Sequence, residues 1–209
     1  LTFLLVALTG CMKPPPPAPP RLEELWVDQF APPDGDGSKE APLKTIPAPL
    51  PKRALHVRTG VYSGPLELPE GSTFEGHGEV VITGTGDEPT VTATGAVLRH
   101  VDIQGGAIGL QARDVGLDGV RFSGQTKTAI VAEGVLRGRK LHFTSTIAGI
   151  DGVVAKDAKV SLVEAKFQGG FRRAIDVSGG ELRLSGVNFE GAMTAVRALD
   201  ANAALDTCD

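Results

Sequence analysis

Five short segments of this chain share one apolar–polar–apolar alternation: Val101-Asp102-Ile103, Val120-Arg121-Phe122, Leu141-His142-Phe143, Ala165-Lys166-Phe167 and Val187-Asn188-Phe189. Their last residues, at 103, 122, 143, 167 and 189, are separated by 19, 21, 24 and 22 positions. A second apolar pulse follows a turn in each repeat: "AIGLQ" from 107, "TAIVA" from 128, "AGIDG" from 148, "RAIDV" from 173 and "TAVRA" from 194. A third, weaker pulse comes after another turn, as in "GVLRG" from 134 and "GELRL" from 180. Strands this short cannot bury a face alone, and a period near 20 with about three strands per repeat is the pattern of a β-solenoid. Coils stacked about 4.8 Å apart pair their backbones and align like side chains into columns. The column Ile103, Phe122, Phe143, Phe167 and Phe189 is therefore predicted to be core, not site. A Rossmann-like fold would need amphipathic stretches of ten or more residues between strands, and none is present. An immunoglobulin-like sandwich does not call for one motif recurring at this period.

The composition agrees. Gly (27) and Pro (15) are plentiful while aromatics make up 5% of the 209 residues, which implies many turns around a core of small aliphatic side chains. A formal net charge of −4 gives no electrostatic basis for a nucleic-acid partner. Two cysteines cannot build a disulfide framework, and no run of about 18 apolar residues follows residue 10.

Residues 1–10, "LTFLLVALTG", are uncharged and almost wholly apolar. They are too short to span a bilayer but suit the apolar core of a secretory signal peptide, whose basic start is expected to precede Leu1. Leu8-Thr9-Gly10-Cys11 resembles a bacterial lipobox. The resemblance implies that Cys11 takes a diacylglycerol on its thiol, becomes the first mature residue and is acylated on its amino group. Several acyl chains give stable anchoring where one gives only marginal binding. Met12 is not the Asp that marks inner-membrane retention in that family, so the outer membrane is the expected address. Residues 14–20, "PPPPAPP", should adopt polyproline II and hold the domain off the lipid as a stiff spacer of roughly 20 Å.

Between this tether and the repeats lies a second motif set. Trp26-Val27-Asp28, the Gly/Asp-rich turn at 34–37, Pro42 to Ile46, Gly60-Val61-Tyr62 and Phe74 to Gly78 follow one another in order. Together they resemble the opening of right-handed parallel β-helix proteins of the pectin-lyase-like superfamily, and the resemblance covers roughly residues 24–200. It implies an all-β, right-handed parallel β-helix and a polysaccharide-related role. That family usually places a capping helix after its Lys-Thr-Ile element. Here "PAPLPKR" carries three prolines, so a shortened cap is expected.

Three features carry candidate chemistry. Gly76-His77-Gly78 matches a Gly-His-Gly that holds a catalytic His in polygalacturonases of the superfamily. It lacks their accompanying Asp motifs, however, and sits where a tight corner calls for Gly-x-Gly. Asp34, Asp36, Ser38 and Glu40 alternate like the first half of a calcium loop. Thr45 stands where the closing Glu belongs, which favours a solvated turn. Asp151 and Asp176 occupy similar places in successive second pulses, with Arg197 in the next and Arg172 and Arg173 nearby. In register, the two carboxylates would lie about 5 Å apart, a spacing that suits a retaining glycosidase pair or a calcium site. The remaining outward columns, Asp102, Arg121, His142, Lys166, Asn188 and Gln104, Ser123, Thr144, Gln168, Glu190, form a mixed polar wall. His142 lies between two cations there and reads as a surface residue, not a metal ligand.

The expected organisation is signal peptide 1–10, lipidated Cys11 with a Pro-rich tether through 22, cap region 23–52 and β-helix 53–209. About six or seven coils are expected. A bare sheet edge at residue 209 would be unusual, so the coils are expected to continue, leaving Cys208 a thiol without an intramolecular partner. The expected function is a non-catalytic binding or structural module of the bacterial cell envelope. Its partners are membrane lipid through Cys11 and a polysaccharide or envelope protein, with no cofactor and no catalytic or metal residue assigned. The alternatives are a lyase or hydrolase of uronate polymers and a purely structural stalk.

Overall fold

The computed structural model describes residues 24–208. Cys11, the segment before it and the proline tether lie outside the described residues. Fifteen strands form one parallel sheet wound on itself, with no helix among the described residues. They are β1 (Glu24–Val27), β2 (Ala54–Ser63), β3 (Leu66–Leu68), β4 (Thr73–Gly84), β5 (Pro89–Thr94), β6 (Val97–Arg99), β7 (Asp102–Gly105) and β8 (Ile108–Asp118). The chain continues through β9 (Arg121–Ser123), β10 (Thr128–Arg139), β11 (His142–Val163), β12 (Lys166–Ser185), β13 (Asn188–Glu190), β14 (Thr194–Leu199) and β15 (Asn202–Asp206). The longest run through the corners without a break in pairing: β11 alone, at 22 residues, supplies all three faces of its coil.

The first face contains the predicted column. Tyr62, Ile82, Ile103, Phe122, Phe143, Phe167 and Phe189 are consecutive backbone partners, one per coil, giving seven coils among the described residues. The rings of Phe122, Phe143 and Phe167 stack nearly parallel, at centroid distances of 5.1 Å and 4.3 Å. The stack continues to Phe189, 5.4 Å from Phe167, and Phe171 meets Phe167 edge-on at 5.9 Å. Offset stacking of this kind adds to the area term that already favours buried aromatic rings. On the second face Leu66, Val91, Leu110, Ile130, Val153, Ile175 and Val196 form the matching aliphatic column. Beside it runs a column of small residues, Gly109, Ala129, Gly152 and Ala174, which leaves room for the phenylalanines. A Cβ at Gly152 would lie 2.8 Å from the Phe167 ring, closer than side-chain contacts allow. On the third face Leu55, Phe74, Leu98, Leu117, Gly138, Leu162, Leu184 and Leu205 share a column, and β1 extends that face by pairing with β2.

Residues 28–53 contain no strand and fold as turns beside the first coil, tied by hydrogen bonds between Asp28 N–H and Leu43 O and between Trp26 N–H and Gly37 O, both 2.8 Å. Cys208 is in no disulfide, and its half-buried thiol donates to the Asp206 carbonyl at 3.5 Å.

Deleting a ring from the middle of the first-face stack leaves a cavity that the coils above and below cannot close. Phe143→Ala is expected to cost about 3–5 kcal/mol in chemical denaturation, and Phe189→Ala less, because Phe189 is only half-buried. Equal losses would contradict the stack as the centre of the core.

Candidate functional site

The solenoid places two carboxylates where a charge is costly. Asp151 and Asp176 are each only 5% exposed, and they are the charged residues among the buried ones described, the other buried polar side chains being Ser72, Thr90, Gln125 and Ser145. Their compensation is a set of arginines on β12 and β14. Arg172 donates to Asp151 through Nε at 3.2 Å and through a terminal nitrogen at 2.6 Å. Arg173 does the same at 3.0 Å and 2.5 Å, and its other terminal nitrogen reaches Asp176 at 2.5 Å. Arg197 forks onto Asp176 at 2.7 Å and 3.1 Å. Paired forks of this kind are the strongest side-chain hydrogen bonds available to a carboxylate. Burial alone would raise the Asp151 carboxyl. The hydrogen bonds and charges of Arg173 and Arg172 outweigh burial and hold it below the usual carboxylate range.

The expected register of these residues needs correction. Asp151 does not lie beside Asp176; its partner on the next coil is Arg173, while Asp176 pairs with Val154 on one side and Arg197 on the other. The cause is extra length at the β11 corner before Asp151: Ser145 pairs with Gly169 but Ile150 with Phe171, five positions against two, and a one-residue bulge follows, in which Asp151 pairs with Arg173 and Arg172 is an extra residue. That bulge points both Arg172 and Arg173 at one carboxylate. Neither Asp is free to act as nucleophile or general acid, because each is held by two guanidiniums. What solvent meets is cationic: the side chains of Arg172 and Arg197 are 56% and 45% exposed, against 6–7% for the two Asp.

The other candidates separate clearly. In the turn at 34–40, Asp36 Oδ1 accepts from Ser38 N–H at 2.8 Å, and Ser38 Oγ accepts from Ala41 N–H at 3.1 Å. The hydrogen bonds from Ser38 hold the exposed Asp36 carboxyl below its ordinary range. The turn closes on its own groups and gathers no ligand set. The outward columns of the first face pair as expected: Asp102 binds Arg121, Lys166 reaches Glu190 at 3.4 Å, and exposed His142 lies between Arg121 and Lys166. Gly76 and Gly78 are steric requirements. A Cβ at Gly76 would lie 2.0 Å from the His100 carbonyl oxygen, and Gly78 has φ +97°. His77 itself, however, is not isolated. Trp26 stacks on it and His56 packs against it at a tilt, and neither residue was in the candidate set.

Among the described residues, Arg173 is the one arginine that holds both buried carboxylates, whereas loss of Arg172 or Arg197 leaves its Asp one remaining partner. Arg173→Ala is expected to cost about 3–5 kcal/mol, and Arg172→Ala clearly less, in chemical denaturation. Stability from a depressed carboxylate is complete above the unfolded pKa of about 3.9 and is lost as pH falls through the lower folded value. The acid-unfolding midpoint of Arg173→Ala is therefore expected at higher pH than that of the wild type. Coincident acid transitions would show that the pairing does not stabilise the fold.

No protein-family model matches the sequence, and no curated protein is similar to it in sequence. Among solved structures, a pectin methylesterase from carrot is similar with a TM-score of 0.50 and 14% identity, over 88% of this chain and 72% of that one. A pectin methylesterase in complex with a hexasaccharide is similar at a TM-score of 0.44 and 13% identity, over 80% of this chain and 66% of that one. At such identities the likeness is one of architecture: the chain is a right-handed parallel β-helix of the kind found in the carrot protein.

Proposed function

We propose that this chain is a non-catalytic binding module, held at the bacterial cell envelope by lipid on Cys11, whose ligand is an anionic polysaccharide. The observation that carries the reading is the guanidinium surface of Arg172, Arg173 and Arg197, fixed in place by two buried carboxylates. Three cations and two anions leave one net positive charge there, although the chain as a whole is negative. Arginine loses much of its binding energy to side-chain ordering unless something orders it first. Asp151 and Asp176 do so from below, and the open edges of Arg172 and Arg197 remain available to a carboxylate on a sugar. The same pairing argues against the lyase and hydrolase alternatives, since it occupies the groups that would move protons or attack a glycosidic carbon.

The test uses polygalacturonate as the anionic probe and a neutral glucan as its control. Binding only to the former, weakening with added salt and falling about ten-fold in Arg172→Ala and in Arg197→Ala, is expected. Growth of ultraviolet absorbance or of reducing ends during incubation would replace the binding reading with an enzymatic one. Mass spectrometry of the mature amino terminus addresses the anchor: an acylated Cys11 is expected, and an unmodified Cys11 would remove the envelope address.

A further inference from the structure

At the other end of the solenoid, on the third face, lies a cluster that the arginine surface does not involve. The register sets Trp26, His56 and Glu75 as consecutive outward partners on β1, β2 and β4, and places His77 beside Arg58 two residues further along. His56 Nδ1 and His77 Nε2 are 2.9 Å apart, so one ring nitrogen donates the proton that the other accepts. Glu75 Oε2 is 3.8 Å from His56 Nδ1, and the three donor atoms all lie within 4.8 Å of one another. Trp26 stacks on both imidazoles, at 4.5 Å from His56 and 5.1 Å from His77, and fixes their planes. His77 is exposed and borders a hollow of about 570 Å³ with Trp26, Lys39 and Arg58.

We propose that His56, Glu75 and His77 form a binding site for a first-row divalent cation of the zinc type. An ion about 2.0–2.1 Å from each donor needs tetrahedral ligands about 3.3 Å apart. The nitrogens would open by a few tenths of an ångström from 2.9 Å, and the carboxylate would close on His56 from 3.8 Å and on His77 from within 4.8 Å. The cation takes the place of the shared proton, which moves to the other ring nitrogen of the donating imidazole so that both rings stay neutral. Two imidazoles and one carboxylate leave the fourth position open to water. The donor set selects against calcium and magnesium, which take oxygen ligands.

Trp26 is the only tryptophan in the chain, so its fluorescence reports on this site alone. The full chain, purified without a histidine tag, is titrated with Co²⁺, a paramagnetic quencher, and with Zn²⁺ in competition. Saturable quenching at one equivalent, reversed by Zn²⁺, is expected. His77→Gln and His56→Gln should each weaken it by at least about ten-fold, and His142→Gln, on the first face, should leave it unchanged. The His77 side chain is exposed, so that variant keeps the fold. Quenching in His77→Gln that superimposes on the wild type, or no saturable quenching up to about 1 mM Co²⁺, would overturn the site.

Discussion

Everything in this molecule depends on the parallel hydrogen bonding of each coil to the next. With a rise of about 4.8 Å per coil, any residue type placed at one position faces its counterpart above and below at near-contact distance. For apolar groups that is an advantage, and the phenylalanine stack with its neighbouring column of small residues is the result. For charges it is a constraint, because like charges at that separation repel. The outward column of the third face obeys it by alternating sign: Glu75, Arg99, Asp118 and Arg139 are successive partners. Arg139 reaches Asp118 at 2.9 Å and its hydrogen bond holds that carboxyl below the usual range. Exposed pairs of this kind stabilise little, typically below about 1 kcal/mol, and their main effect is to make stacking tolerable.

The Asp151–Arg173–Asp176 network is different in kind. Its carboxylates are buried, so removing one partner strands a charge in a poor solvent. A fold seeking only stability would place apolar residues there. A chain that does place charge there fixes the geometry of three guanidiniums on an open face, and that links the packing of the last coils to ligand capture in the proposed function. The bulge at Arg172 serves the same end, since it brings a second fork onto Asp151.

Much of the architecture was legible because alternation and a nearly constant period suffice to define an inward column. Ile103, Phe122, Phe143, Phe167 and Phe189, and the polar columns flanking them, stand in the register their spacing predicted. The relation of Asp151 to Asp176 was not legible. "GIDG" and "AIDV" look equivalent, but three extra residues at the β11 corner between Ser145 and Ile150, and one extra residue on β12 at Arg172, put Asp151 three positions from the partner of Asp176. Nothing in the local sequence marks which residue is extruded. The His56, Glu75 and Trp26 cluster was missed for another reason. It belongs to the opening coils, where the triplet used for alignment begins only at Val101, and His77 was weighed by its flanking glycines. Laying "LHVR" over "FEGH" places His56 over Glu75 and Arg58 over His77, and would have revealed the juxtaposition.

The central claim is that solvent-facing edges of carboxylate-locked arginines form the ligand surface. It is tested most directly by following arginine Nε–H resonances during titration with an oligogalacturonate. The account requires the Arg172 and Arg197 signals to shift saturably while those of Arg121 and Arg139, already paired on other faces, stay in place. Shifts confined to those other arginines, or none at all, would contradict it.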